Sequence, residues 1–275
     1  MDYDKFAKIW QAKKTSNKHF AHDYLEKPAI NGLFEEVLIS KIKTNQLINI
    51  LELGCGSGEQ TEYIKSFGGV NYYGLDNSIE LVEFAKENYP SNNETIIDFR
   101  VFDLNNIDNI IDYYSNLGVK FDIIYSSLTM HYVENWEGVL SNLKSICKGD
   151  ANIIFSCHHP IKWGSKTIKN REYNSFTMGY KKLKVNDKKL PEFEVYGDYL
   201  TPRYINEKLF NQLDIKHHHK PISLMIRDVK ESGWYLNDLI EPLPIEKAKY
   251  ELPDFYEVHS KIPLFMIFSI SLMNK

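Results

Sequence analysis

Short apolar runs alternate with amphipathic stretches through the middle of this chain, and most of the runs end on glycine or aspartate. Residues 47–53 are an apolar run ending in glycines, the pattern of a buried parallel strand. Ser57 is placed to cap a helix reaching Phe67, and Gly68-Gly69 to stop it. Residues 70–75 predict a second strand, closed by Asp76. Ser78 then caps a helix whose buried side is assigned to Ile79, Leu81, Val82, Phe84 and Ala85, with Pro90 just beyond its end. Residues 96–102 predict a third strand, followed by Asp103 and a helix to Leu117. Residues 121–126 predict a fourth strand, residues 136–146 a helix stopped at Lys148-Gly149, and residues 151–157 a fifth strand. An alternation this regular predicts an α/β fold with a doubly wound parallel sheet.

The flanks read differently. Residues 2–43 predict helices: Phe6, Ile9 and Trp10 sit at helical spacing, and a polar break follows at 13–18. A second helix begins near Lys27-Pro28, with Ile30, Leu33, Phe34, Val37 and Leu38 on one face. Residues 160–219 interrupt the alternation. They are rich in Lys, Tyr and Asn, and predict an insertion with a helix or two and a short β-hairpin. The alternation then resumes with a helix over 222–231, a stop at Gly233 and a strand over 234–240. A loop marked by Pro242, Pro244, Pro253 and Pro263 leads into a last strand at 264–273. Pro263 to Met273 is the only membrane-like stretch, and it is too short to span a bilayer. The predicted organisation is therefore a helical lid (1–44), an α/β core (45–159 and 220–275) and an inserted cap (160–219).

Composition changes this picture little. The chain has 275 residues, 43% of them hydrophobic and 25% charged, enough to build a sizeable core. Its net charge of −4 argues against a dedicated nucleic-acid binder. Cys55, Cys147 and Cys157 are too few and too scattered for a disulfide framework or a zinc site. The first residues are polar and lack the apolar run of a signal peptide, so a reducing, cytoplasmic setting and no membrane partner are expected. Residues 161–216 carry 12 Lys or Arg against 7 Asp or Glu. A solvated lysine-rich surface accounts for this excess, and so would a cap that favours an anionic ligand.

The chemistry starts at Leu51-Glu52-Leu53-Gly54-Cys55-Gly56-Ser57-Gly58. Glycines after a strand let the backbone turn sharply and approach a ligand, and a following helix points amides at it. Alone, such a loop also suits a nicotinamide enzyme. Asp76 ends the second strand where an acidic residue can accept hydrogen bonds from a ribose diol, and Asp103 ends the third where one could accept an adenine amino group. Helix capping is the bland alternative for both.

These residues, with Phe121-Asp122-Ile123-Ile124-Tyr125-Ser126-Ser127-Leu128, resemble in order the class I S-adenosylmethionine (SAM)-dependent methyltransferases. The likeness is strongest to the small-molecule, ubiquinone-biosynthesis or type 11-like branch, over residues 47–158 and more weakly 220–273. It implies a Rossmann-like sheet of seven strands, mostly parallel with an antiparallel last strand, and SAM as cofactor. Gly54 and Gly56 would pack against the methionine part, with Glu52 and Cys55 in the same loop. Asp76 would bind the ribose with Asn77 beside it, Asp103 and Leu104 would hold the adenine, and Ser126 or Ser127 and Leu128 would flank the cofactor. Residues 21–29 resemble the lead-in of some bacterial members, where it folds over the cofactor. Trp10, His22 and Tyr24 are thus candidates to touch cofactor or substrate, or simply pack the helices down.

Ligands of open α/β sheets bind beyond the carboxyl ends of the strands. Three histidines are expected there: His131 after the fourth strand, His159 after the fifth and His219 before the helix at 222. Converging histidines would suit acid–base chemistry near neutral pH. Residues common in the branch favour His131-Tyr132 and His159-Pro160 over His158, His217 and His218. No metal is expected, because adjacent histidines such as His217-His218-His219 alternate faces on a strand. The cap brings Trp163, Tyr173, Phe176, Tyr180, Phe193, Tyr196, Tyr199 and Tyr204, a set suited to covering an acceptor. Trp10, Tyr24, Tyr132, Trp163 and Tyr173 are the expected substrate contacts. The leading expectation is methyl transfer to O, N or C of a small molecule by a monomer or homodimer, without a nucleic-acid partner. An RNA-modifying methyltransferase and a non-catalytic SAM- or nucleotide-binding module are the alternatives.

Overall fold

The computed structural model describes residues 20–44, 47–92, 95–169, 174–185, 191–209 and 213–272. Its centre is a sheet of seven strands: β1 (Ile48–Leu53), β2 (Val70–Asp76), β3 (Ile97–Val101), β4 (Phe121–Ser126) and β5 (Cys147–His158), and later in the chain β12 (Tyr235–Ile240) and β13 (Phe265–Ser271). The spatial order is β12-β13-β5-β4-β1-β2-β3. Strands β1 to β5 pair in parallel, while β13 runs antiparallel to both β5 and β12. The chain builds outward from β1 to β3, then returns to lay β4 on the other side of β1. This reversal is a topological switch point, where loops diverge and leave a crevice.

Burial on both faces explains why the strands read as near-continuous apolar runs. Neighbouring residues go to opposite layers: Leu51, Tyr73, Ile124 and Ile153 pack on one side, and Ile50, Tyr72, Ile123 and Ile154 on the other. Helices cover both layers. They are α1 (Lys27–Ile42), α2 (Thr61–Lys65), α3 (Ile79–Asn88), α4 (Ile107–Leu117), α5 (Trp136–Leu143), α6 (Pro160–Gly164), α7 (Ile222–Glu231), α8 (Glu246–Glu251) and α9 (Pro253–His259). Helix α1 begins with Pro28 in its first turn and buries Ile30, Phe34 and Leu38. A single π-helical turn, His22–Glu26, precedes it.

Several local expectations are corrected. Ser57 caps nothing; residues 54–60 form turns, and α2 starts only at Thr61. Ser78 does cap α3, accepting the Leu81 amide, but Ile79 and Phe84 face solvent. Only Leu81, Val82 and Ala85 of this helix are buried, Val82 and Ala85 in the core and Leu81 at the cavity described below. Lys148-Gly149 do not stop a helix but lie inside β5, beside an irregular register with β4. The proline-marked loop contains α8 and α9, because Pro253 starts a helix as readily as it ends one.

The interruption at 160–219 is more extended than its sequence suggests. After the short α6 come β6 (Lys166–Lys169), β7 (Asn174–Thr177), β8 (Gly179–Val185), β9 (Pro191–Tyr196), β10 (Arg203–Leu209) and β11 (Leu213–His219). They pair as three antiparallel two-stranded units, β6–β7, β8–β9 and β10–β11. Among the cap aromatics, Phe176, Tyr180 and Phe193 are exposed, Tyr180 to 72%, and do not line the main cavity. The predicted helix around Phe6, Ile9 and Trp10, and Tyr173 in the cap, lie outside the described residues. Among the described residues, no helix is long and apolar enough to cross a membrane.

Candidate functional site

A cavity of about 1090 Å³ opens at the carboxyl ends of the parallel strands. Its first wall is the turn after β1. Gly54, Gly56 and Gly58 all have positive φ, at 75°, 53° and 79°. At Gly54 a side chain is excluded twice, because an added Cβ would also lie 2.0 Å from Thr129 Oγ1. The amides of Gly54 and Cys55 both donate to the Leu75 carbonyl, at 2.7 and 2.8 Å, tying the turn to β2. Asp76 completes the lock: its carboxylate accepts the Gly56 and Ser78 amides, each at 2.9 Å. It thus holds the glycine turn and starts α3 at once, and a carboxylate has lone pairs left for a ligand diol.

Glu52 lies beneath this turn. It is buried, lines the cavity and accepts a hydrogen bond from the Tyr72 hydroxyl. Burial pushes its carboxyl up to about 8; the Tyr72 bond opposes this and the nearby Asp76 charge adds to it. Asn77, Asp103 and Leu104 continue the same wall. Asp103 also accepts the Asn105 amide, so the capping and ligand readings are compatible.

The turn after β4 forms the next wall. Leu128 is the one non-glycine residue with positive φ (50°) among the described residues, a strained conformation held by its surroundings. Its amide donates to Ser156 Oγ at 2.9 Å, Ser156 donates to the Glu26 carboxylate, and Ser127 donates to the same oxygen at 3.0 Å. The other Glu26 oxygen meets His22 Nδ1 at 2.7 Å. Fully buried Glu26, which sequence reasoning passed over, therefore pins the π turn across β4 and β5. Its signal was an acidic residue inside an otherwise lid-like segment. Ser126 is different: it is fully buried and donates to the Leu53 carbonyl at 2.9 Å, bridging β1 and β4 without facing the cavity.

The histidines regroup. His131 lines the cavity, but His159 and His219 do not; His158 and His218 do. His159 caps α6, accepting the Ile161 amide at 3.2 Å through Nδ1, and its Nε2 lies 2.8 Å from Glu241. The sequence signal was Pro160 at the first position of a helix, which makes the preceding residue a cap. His219 is buried against the Tyr199 carbonyl at 2.9 Å. Strand parity explains the rest. Asp214, Lys216 and His218 of β11 face the cavity, whereas Ile215, His217 and His219 are buried behind them.

His217 reaches His131 and His158 from that buried side. The ring centroids are 4.4 Å apart for His131–His158, 5.0 Å for His131–His217 and 5.6 Å for His158–His217. Trp163 and Tyr132 both stack on the His217 ring, at 4.8 and 5.1 Å between centroids. Burial, reinforced by the neighbouring histidines and Lys162, pushes the His131 and His158 rings far below their ordinary range, so both are neutral near pH 7. Of the expected substrate contacts, Tyr132 lines the cavity. Trp163 sits behind His217, and Tyr24 is buried with its hydroxyl on Glu251 and its carbonyl accepting the Ile245 amide. Tyr204 and Lys216, paired at 3.3 Å, reach the cavity from the cap instead.

Residues 51–155 match the family described as a methyltransferase domain. A Haemophilus influenzae protein described only as uncharacterized is 23% identical over 266 residues, spanning 97% of this chain and 94% of that protein. A malonyl-[acyl-carrier protein] O-methyltransferase of Buchnera aphidicola is 24% identical over 181 residues, covering 62% of this chain and 64% of that protein. Among solved structures, a SAM-dependent methyltransferase from Mesorhizobium loti superposes with a TM-score of 0.65 at 20% identity, covering 89% of this chain and 96% of the other.

Proposed function

On the premise that residues 51–155 form a class I SAM-dependent methyltransferase domain, we propose that this chain moves the methyl group to a small-molecule acceptor held under the β10–β11 pair. The residues present fit that cofactor. The glycine turn leaves a cradle that a Cβ at Gly54 would fill, Asp76 and Asp103 offer carboxylates on one side, and Glu52 lies below. In this reading Asp76 and Asn77 hold the ribose, Asp103 and Leu104 the adenine, and Gly54 to Gly56 the methionine part. Ser127 and Leu128 flank it, with Glu26 fixing both.

Bound SAM supplies a methyl group already activated on a sulfonium, so no protein nucleophile is required. The chain's own work is to align the acceptor and exclude water, which is where most of the rate would come from. The observation that carries the proposal is the cavity itself. At about 1090 Å³ it exceeds what one cofactor fills, and its far end is lined by His131, Tyr132, His158, Tyr204, Lys216 and His218. His131 and His158, held neutral by burial, offer ring nitrogens that can bind and orient the acceptor's receiving atom. The O-methyltransferase name of the Buchnera relative favours oxygen as the receiving atom. Lys216 suits an acceptor that carries negative charge.

The test is incubation with methyl-labelled SAM and a fractionated small-molecule extract. Label is expected in one low-molecular-weight product. His131→Ala should cut turnover by roughly 10²-fold or more while SAM affinity stays within about 3-fold. Equal losses in both, or label only in RNA, would overturn the assignment.

A further inference from the structure

We propose that His131, His158 and His217 form a three-histidine site for a divalent transition-metal ion, with its fourth position open to the acceptor end of the cavity. One ring nitrogen from each residue lies within 4.8 Å of the other two. Zinc bound at 2.0–2.1 Å in a tetrahedral site would bring such nitrogens to about 3.3 Å, a contraction of about 1.5 Å at the widest pair. The three residues come from different parts of the fold: the turn after β4, the end of β5 and the cap strand β11.

Three observations point to a ligand rather than to packing. Both ring nitrogens of His131 are buried without a hydrogen-bond partner, as are Nδ1 of His158 and Nδ1 of His217. Buried polar atoms in native proteins are nearly always paired, so three neighbouring imidazoles that each carry an unpaired buried nitrogen are unusual. Second, His217 Nε2 meets the Glu207 carboxylate at 3.2 Å. A carboxylate on the far nitrogen is how metal-bound histidines are oriented, and it leaves Nδ1 as the ligand atom. Third, the Trp163 and Tyr132 rings both stack on His217, within 26° of its plane, and hold its orientation. Glu207 also lies 3.8 Å from Lys162, so one carboxylate offsets the cation nearest the site.

His131 and His158 line the cavity while His217 closes the site from behind. That geometry suits a catalytic centre with three protein ligands and an exchangeable fourth, rather than a closed structural one. Imidazole ligands suit zinc, iron, nickel or copper. Resting on the methyl-transfer reading, the site selects an acceptor bearing a thiol or hydroxyl. On coordination that group releases its proton to solvent. Its heteroatom then forms the new bond to the methyl carbon, as the carbon–sulfur bond of the sulfonium breaks and its electron pair stays on sulfur.

The experiment is metal binding by the full chain. Protein stripped with chelator is titrated with Zn²⁺ by calorimetry, and with Co²⁺ by visible absorption, and SAM binding is measured on the same samples. One ion per chain is expected, with the intense cobalt bands of a four-coordinate site. His131→Ala and His158→Ala should abolish stoichiometric binding. Glu207→Gln should weaken it about 10- to 100-fold, and His219→Ala should leave it intact. Retained SAM binding in each variant shows that it folds. Absence of stoichiometric metal in the wild type, or its persistence in His131→Ala and His158→Ala, would overturn the site. A wild type that binds metal but not SAM would instead overturn the methyltransferase reading.

Discussion

The two ends of the cavity are assembled in opposite ways. The end proposed for the cofactor comes from one continuous stretch, β1 through the turn after β3, and is built mainly from backbone: positive-φ glycines, amides donated to Leu75 and carboxylates after β2 and β3. The end proposed for the acceptor is lined by rings gathered from the turn after β4, from β5 and from β11. The first depends on conformations that only certain residues tolerate locally. The second depends on tertiary placement. Substitutions at the cofactor end should therefore remove binding, and those at the acceptor end should remove turnover.

The largest expected effect tests the backbone side. Gly54→Ala places a Cβ at φ 75° and against Thr129, so SAM affinity should fall by more than about 100-fold, with a loss of roughly 2–4 kcal/mol in unfolding free energy. Calorimetric titration and denaturant melts would check both, and wild-type affinity in this variant would break the distinction. Next is Glu52, whose carboxyl stands at about 8 when folded against 4.5 for an exposed one. The folded state keeps a proton that the unfolded state releases, so the contribution of Glu52 to stability is most favourable below pH 4.5 and is lost as pH rises towards 8. Glu52→Gln should flatten that slope and recover up to roughly 3–5 kcal/mol at pH 8. Because SAM is cationic, its affinity for the wild type should rise over the same range and lose this dependence in the variant. Thermal melts and titrations from pH 5 to 9 would show it.

Asp76→Asn sits between these extremes. It keeps one acceptor for the glycine turn but loses the carboxylate, and SAM affinity is expected to drop about 10- to 100-fold with only about 1 kcal/mol lost in stability. The smallest effect belongs to Ser126→Ala, which removes one bridge to Leu53. About 1 kcal/mol of stability should go, with SAM affinity and turnover within 2-fold. A large loss of SAM affinity there would return Ser126 to the cofactor site.

Legibility in the sequence follows the same division. The glycine turn, Asp76 and Asp103 were readable because each sits at the end of a strand, where local backbone geometry and residue type are coupled. Ser126 and Ser127 looked equivalent by position, and only strand pleat separates them: one faces the core and the other the cavity. His159 was chosen over His158 by resemblance, although Pro160 marks it as a cap. The rule that neighbouring histidines alternate faces applies to β11, but it says nothing about His217 meeting histidines from other strands.

The sequence by itself determined the α/β alternation, the strand-end acids and the left-handed glycines, because each arises from periodicity or from backbone preference within a few residues. Only the tertiary structure decided that the described part of the inserted segment forms three two-stranded units after a short helix, that Glu26 ties the lid across β4 and β5, and that three distant imidazoles converge. Those outcomes depend on contacts between residues far apart in the chain, and a local pattern of polar and apolar positions carries no record of which distant side chain will lie opposite.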